Sequence, residues 1–348
     1  MVEHKSICLV AGPLTARSGV YRSALELQQA AVARGLDWRV VLGVSSKAGG
    51  MARPEEAGRF REFALEPSGL GGVMELRRQL AAEDLVTSAD VVVSLNPQAD
   101  MALSTMSMEW VAFLRGKPWP SSGEAGLIKR TAWRSLETLA LQKAVAVWST
   151  TEILRRDVGR IGRRISLVPA GIDLDPGREP AEQGSRAVWA ARFDVDKNPF
   201  LFLEALRDAD VKGVMYGTGP LEADITKRAP KTVTVAGWVP TDRIWHDALV
   251  YVGTAHREAF GRSAVEAAAR GIPVILSREF GCAELLVTKP EYRRMFVLDN
   301  AEPESWRRAI SSLATDSTLW SDYASHVRDN ASRLSIDSSL DRILHELW

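Results

Sequence analysis

The sequence predicts an α/β protein made of two Rossmann-like domains. Three observations carry this expectation. Short apolar runs rich in β-branched residues alternate along the chain with stretches of helical spacing, the rhythm of parallel sheets covered by helices. The 348 residues exceed the usual size of one hydrophobic core. Residues 249–286 contain a whole crossover unit. Its apolar runs 249–252 and 272–276 read as buried strands, and the Ala-rich stretch 262–270 reads as a helix with Ala264, Val265, Ala268 and Ala269 on one face. Gly271 and Pro273 stop that helix. A strand, loop, helix and strand of this length join parallel strands.

Composition narrows the function class. Apolar content of 46% and charged content of 25% are those of an ordinary globular protein. A formal net charge of zero argues against a nucleic-acid partner held by bulk electrostatics. The two cysteines, Cys8 and Cys282, lie in or beside apolar runs and show no metal-ligand spacing or disulfide framework. The N-terminal apolar run is too short for a signal peptide or a membrane span, so a cytoplasmic protein is expected. Most of the eleven Trp are expected in cores, with one or two lining a pocket.

In the first half, residues 6–11 read as a strand, followed by a loop with Gly12, Pro13, Ser18 and Gly19. A helix over 20–34 stops at Gly35, and a strand covers 39–43. This βαβ opening lacks the G-x-G-x-x-G of a dinucleotide site. Residues 45–54 read as a loop, 60–65 as a strand, 72–82 as a helix and 90–95 as a buried strand. The polar cluster 96–100, with Asn96, Gln98 and Asp100, then falls at a strand's C-terminal end, where open α/β sheets take ligands. The turn-rich stretch 116–126 is a candidate acceptor-pocket loop. Helices over 126–143 and 151–160 flank a strand at 144–149, and 165–169 leads into the close of this half.

The second half runs from a strand at 187–191 through strands at 211–216 and 232–236 to one at 295–298. Helices follow at 302–315 and 319–333, and an amphipathic helix at 338–348. The expected division is a first domain of 1–172 joined by 335–348, a linker of 173–185, and a second domain of 186–334.

The loop before residue 262 carries the chemistry. A helix start offers unpaired amides and a partial positive charge, which suit a phosphate. Gly261 lets a ligand approach the backbone. Glu258 in the loop and Glu266 inside the helix could bracket a ligand with hydroxyls at both ends and phosphates between, which is a sugar nucleotide. Two Glu residues taken alone are more often solvated or capping acids. Arg192 and Lys197 leave one loop, and two converging cations would neutralise a diphosphate.

Glu258-x7-Glu266, with Phe260-Gly261 inside it and Gly271-Ile-Pro273-Val behind, resembles the signature of the retaining GT-B glycosyltransferases of the large group 1 (family-four-like) class. The likeness covers residues 186–286 well and the first half loosely. It extends to the Arg192/Lys197 spacing, to Gly217-Thr-Gly219-Pro220, to Gly237-Trp238-Val239, and to Ala170-Gly171-Ile172-Asp173 at the close of the first domain. It implies two Rossmann-like domains facing a cleft, with the C-terminal helix crossing back to the first domain. It also implies that Glu258 contacts donor-sugar hydroxyls, that Glu266 contacts the ribose, and that amides of Phe260, Gly261, Arg262 and Ser263 meet the sugar and diphosphate. Gly217, Gly219 and Trp238 lie near the nucleotide. Gly19 is either a phosphate-facing loop glycine or a simple turn glycine. The implied reaction is metal-free transfer, with retention, from a nucleotide-diphosphate sugar to a hydroxyl acceptor, with Glu258, Arg192 and Lys197 at its centre and no cofactor. Asp194-Val-Asp196 and Asp173-Leu-Asp175 spell D-x-D but are read as turn acids, not metal ligands.

The chain departs from the family pattern in one respect. Of its five histidines, His4, His246, His256, His326 and His345, only His4 precedes the linker, and it lies before the first strand. No residue inherits the first-domain His that contacts the donor sugar near C6, which fits a donor lacking a 6-hydroxyl. Asn96, Gln98 or Asp100 stand in by position and are the acceptor-side candidates. Arginines 155, 156, 160, 163 and 164, with Arg77, Arg78, Lys129, Arg130 and Arg134, make the first domain patchily basic. They are either solvated or meet an anionic acceptor or the anionic inner face of a membrane. The rival functions are an epimerase or inverting transferase on the same fold, with Asp100 as its available base, and a catalytically silent binding subunit.

Overall fold

A computed structural model describes residues 5–347 except 18, 51, 55, 57, 67–68, 117–125, 160 and 176. The chain divides into two compact units, Met1–Asp173 with Ile336–Trp348, and Leu174–Ser335.

Among its described residues the first unit holds seven strands: β1 (Ile7–Ala16), β2 (Trp38–Gly49), β3 (Phe60–Ala64), β4 (Val91–Ser94), β5 (Trp110–Leu114), β6 (Ala146–Ser149) and β7 (Ile165–Leu167). They lie in the order β3-β2-β1-β4-β5-β6-β7, and every pairing is parallel. The core joins inward residues of β1, β2 and β4 to Tyr21 and Leu27 of the helix Val20–Ala33. Ile336, Leu340 and Ile343 of the C-terminal helix Ile336–Leu347 belong to the same core. That helix is tied down by the Ile336 amide on the Ile172 carbonyl (2.8 Å), by the Ser339 hydroxyl on the Pro169 carbonyl (2.9 Å), and by Arg34 paired with Asp337 (2.6 Å) and Asp341. The chain end therefore crosses back to the first unit, as the family resemblance implies.

Several boundaries differ from the sequence expectation. β1 runs on to Ala16 and β2 to Gly49, through stretches read as loops. The two strands keep pairing past an irregularity at Gly12, where a Cβ would lie 3.1 Å from the Gly43 backbone. Gly12 lets the backbones close there, and Pro13, with no amide hydrogen, sits where the register shifts. β5 had no counterpart in the sequence reading, although all five of its residues are buried. The strand expected at 295–298 is half realised: Met295 and Phe296 end the helix Pro290–Phe296, and Val297–Leu298 form a two-residue strand.

The second unit holds β8 (Arg186–Ala190), β9 (Lys212–Tyr216), β10 (Val233–Gly237), β11 (Ala248–Gly253), β12 (Val274–Ser277) and β13 (Val297–Leu298). Their order is β10-β9-β8-β11-β12-β13, again parallel throughout. Most of the expected linker belongs to this unit. Ala181 N–H donates to the Arg270 carbonyl (2.7 Å), Gln183 reaches the Leu313 carbonyl (3.0 Å), and Ser185 bonds the Asp247 carboxylate.

The helix Leu127–Lys143 turns Glu137, Ala140 and Leu141 inward. Its opposite face leaves Ile128 88% exposed, with Leu127 and Leu139 also exposed. The helix carries Lys129, Arg130, Arg134 and Lys143 against one acid, the buried Glu137.

A Cβ on Gly184 would lie 2.3 Å from the Asp247 carbonyl carbon. Gly184→Ala is therefore expected to lower the stability of the second unit by about 1–3 kcal/mol, read as a fall in its thermal midpoint. An unchanged midpoint would mean that residues 174–185 are not packed against it.

Candidate active site

In an open parallel sheet, ligands bind beyond the C-terminal strand ends where strand order reverses. In the second unit that point lies between β8 and β11. Two loops leave it. One carries Arg192–Asn198 after β8, and the other Thr254–Gly261 after β11. Thr254 knits them together: its hydroxyl accepts from Trp189 Nε1 (2.9 Å) and donates to the Lys197 and Asn198 carbonyls (3.0 and 2.9 Å). The His256 amide donates to the Asp196 carbonyl at 2.8 Å.

The second loop ends at Gly261, which caps the helix Arg262–Ala269 with φ 100°. A Cβ there would meet the Phe280 ring at 2.6 Å, and one on Gly253 would meet it at 2.5 Å. The ring thus sits between the end of β11 and the start of the helix, and only glycine fits on either side. Residues 258–260 run beside 279–282, joined by Glu258 N–H to the Glu279 carbonyl (3.1 Å), Gly281 N–H to the Glu258 carbonyl (3.0 Å) and Cys282 N–H to the Phe260 carbonyl (2.8 Å). The Phe260 side chain is buried. Arg262, Ser263 and Glu266 are half-buried on the first turns of the helix. Both cysteines are buried and unbridged.

The charged groups converge. Lys197 Nζ lies 2.9 Å from Glu258 Oε2 and 3.2 Å from Asp196 Oδ2. Arg192 Nε lies 3.2 Å from Asp194, and its Nη2 lies 3.7 Å from Asp196 Oδ1. Burial pulls the Lys197 ammonium pKa down, but Glu258 and Asp196 outweigh it and hold the group above its ordinary value. Arg192 and Lys197 therefore face acids of their own loops in the free protein, and Lys197 joins its loop to Glu258. Asp194 also caps the turn at Val195 N (2.7 Å), and Asp175 closes a turn onto Gly177 N (3.1 Å). One acid of each D-x-D pair thus caps a turn. Among the described residues, no three His, Cys, Asp or Glu side chains gather as a metal site.

The Gly217–Gly219 turn is built against the first loop. A Cβ on Gly217 would lie 1.9 Å from the Ala191 carbonyl oxygen, and one on Gly219 would lie 2.4 Å from that of Phe193. Phe193 N–H donates to the Thr218 carbonyl (2.9 Å) and Leu221 N–H to that of Phe193 (3.0 Å). These glycines are needed for a backbone crossing that fixes the Arg192 loop. After β10, Trp238 stands 72% exposed, unlike the buried Trp38, Trp148, Trp189 and Trp306. An exposed indole at a strand's C-terminal end offers a stacking face.

In the first unit the corresponding reversal lies between β1 and β4. Gly19 caps the helix Val20–Ala33 at φ 50°, with open space where a Cβ would stand. Asn96 Oδ1 accepts from Gly12 N–H and its Nδ2 donates to the Gly12 carbonyl (3.1 Å each). Nδ2 also meets Gln98 Oε1 at 2.9 Å. Asn96 thus fastens β1 to β4, and Gln98 sits half-buried beside it.

Asp100 corrects the sequence expectation of an acceptor-side group. It is 2% exposed, on the inner side of the helix Pro97–Leu103, and accepts from Ser94 Oγ and from Trp110 Nε1 (3.0 Å). Helical spacing turns it inward, and Trp110 supplies its partner from β5, the strand missing from the sequence reading. Of the expected basic run, Arg155 and Arg156 pair with Glu152, and Arg163 bonds the Gln142 carbonyl. Ser18, residues 117–125 of the proposed acceptor loop, Arg160 and His4 lie outside the described residues.

Comparison with solved structures supports the two-sheet architecture. Sucrose-phosphate synthase from Thermosynechococcus elongatus matches with a TM-score of 0.81 at 15% identity, over 99% of this chain and 98% of that one. Anabaena HepE in complex with UDP and glucose matches at 0.75 and 16%, over 99% of each chain. WaaG, a glycosyltransferase involved in lipopolysaccharide biosynthesis, matches at 0.71 and 16%, over 97% and 98%. The chain has the GT-B glycosyltransferase fold. Residues 176–333, nearly the whole second unit, match the family described as Glycosyl transferases group 1. A GDP-mannose-dependent alpha-(1-6)-phosphatidylinositol dimannoside mannosyltransferase from Mycobacterium tuberculosis is 28% identical over 47% of this chain and 55% of its own length. The chain thus spans about half the length of the curated relatives it matches.

Burial raises the Asp100 carboxyl to about 7, and the Ser94 and Trp110 donors only partly oppose it. Its folded pKa lies above the unfolded one, so its contribution is full at acid pH and is lost as pH rises through about 7. Asp100→Asn is expected to flatten the fall in first-unit stability between about pH 4 and 7, and to gain a few kcal/mol above that window. Denaturant titrations across that range check this, and identical slopes for the two proteins would refute it.

Proposed function

We propose that this protein is a retaining glycosyltransferase that moves a sugar from a nucleotide-diphosphate donor to a hydroxyl acceptor. The observation that carries the reading is the Lys197–Glu258 pair, set where strand order reverses in a group 1 glycosyltransferase domain. Glu258 accepts from donor-sugar hydroxyls and Glu266 from the ribose. Amides of Gly261, Arg262 and Ser263 at the helix start, with Lys197 and Arg192, hold the diphosphate. Trp238 and the Gly217–Gly219 turn border the nucleotide. The first unit takes the acceptor. The bond from the sugar's anomeric carbon to the phosphate oxygen breaks, and the acceptor oxygen bonds that carbon from the same face. The acceptor's proton goes to the departing phosphate oxygen. The two cations stabilise the charge leaving with the diphosphate, so the step calls for no metal. The missing first-domain His supports a donor without a 6-hydroxyl. The epimerase and inverting-transferase readings lose ground because Asp100, their available base, is buried and bonded.

The acceptor is proposed to be anionic and membrane-borne, with the protein peripheral to the inner face of the membrane. The outward face of Leu127–Lys143, apolar at Leu127, Ile128 and Leu139 beside Lys129 and Lys143, supports docking on an anionic bilayer. Among the described residues no helix is long and apolar enough to cross a membrane.

Thermal-shift titration with UDP, GDP, dTDP and ADP, each with and without EDTA, tests the donor site. One nucleotide is expected to stabilise the protein regardless of EDTA. No shift with any of them would favour a silent binding subunit, and an EDTA-sensitive shift would return Asp194 and Asp196 to metal binding. Glu258→Gln is expected to keep nucleotide binding while transfer falls by about 100-fold or more. For the membrane face, co-sedimentation should require phosphatidylglycerol in phosphatidylcholine vesicles and be lost in Ile128→Glu. Sedimentation indifferent to either change would end that part of the reading.

A further inference from the structure

We propose that Asp196 competes with the donor's diphosphate for Lys197 and Arg192, and so sets how readily the nucleoside diphosphate is released. The inference rests on the donor-site reading above. In the free protein, Asp194, Asp196 and Glu258 face Arg192 and Lys197, so three carboxylates meet two cations. A diphosphate arriving among them adds negative charge to a cluster that already carries an excess of it. It binds only if the cations change partners. Glu258 has a new use in the bound state, because it turns to the sugar hydroxyls. Asp194 has one too, because it still caps Val195 N. Asp196 has none.

The geometry makes Asp196 the natural place for the cations to return. Its carbonyl is fixed by the His256 amide at 2.8 Å, so the residue stays in place whichever way the cations point. Its Oδ2 holds Lys197 at 3.2 Å. Its Oδ1 is buried and accepts no hydrogen bond, with Arg192 Nη2 waiting at 3.7 Å. A buried carboxylate oxygen left without a donor is costly, so a small swing of the guanidinium onto it is favourable. Arg192 is 59% exposed and free to make that swing. Product release is then an exchange in which Asp196 takes back both cations as the diphosphate leaves.

A role of this kind has a signature that a structural role lacks: neutralising the residue should tighten the product complex. Isothermal titration with UDP, GDP, dTDP and ADP first identifies the nucleoside diphosphate that wild type binds. Asp196→Asn and Asp196→Ser are then expected to bind it about tenfold more tightly, as removal of one nearby carboxylate charge in a half-buried site implies. Turnover and KM should fall together, because release slows. Asp194→Asn, which leaves Lys197 untouched, should change affinity less. Weaker or unchanged binding in both Asp196 variants would overturn the inference while leaving the donor site standing. Failure of wild type to bind any of the four would overturn the donor-site reading and this inference with it.

Discussion

Strand order reverses between β8 and β11, and the second unit's chemistry follows from that constraint. Two loops must leave neighbouring strands in divergent directions, yet the site needs them within a few ångströms of each other. The Thr254 hydroxyl and the His256 amide close that gap by bonding the backbone of the Arg192–Asn198 loop. Lys197 and Glu258 meet only because those polar clamps hold their loops in register. An ion pair of two half-buried side chains would be a weak fastener by itself. Here it is a result of the backbone arrangement more than its cause.

The glycines of the site serve the same end. Gly217 and Gly219 stand where no side chain fits, because the turn after β9 crosses directly over the loop after β8. Gly253 and Gly261 stand on either side of one aromatic ring. The first pair lets two stretches of backbone come closer than side chains permit, and the second leaves room for the Phe280 ring, so both fix the loops that carry the charged groups.

Much of this was legible in the sequence, because the signals were local. The crossover unit at 249–276, the spacing of Glu258 and Glu266, and the Gly261 helix start are each read from a few adjacent residues, and the elements lie within a residue or two of expectation. What was not legible depends on partners far along the chain. The continuation of β1 and β2 needs Gly12 to meet Gly43, and residue type alone does not reveal that meeting. Asp100 looked like a ligand group because it follows a strand; its partner Trp110 lies on a strand whose short apolar run passed unread. Phe280 gave no sequence signal, since its role is to fill space between two glycines. The partners of Arg192 and Lys197 were legible as charges but not as a closed cluster, because local spacing does not say which acids turn toward which cations.

The buried carboxyl of the first unit has a consequence for how that unit forms. Just below neutral pH an unfolded chain carries Asp100 as a carboxylate, whereas the folded unit, its carboxyl raised to about 7, holds it largely as the acid. Folding therefore draws a proton out of solution, and the buffer must give it up. The heat of unfolding measured in a calorimeter should accordingly contain the buffer's own heat of ionisation. Phosphate and Tris would report different enthalpies for the same molecular event.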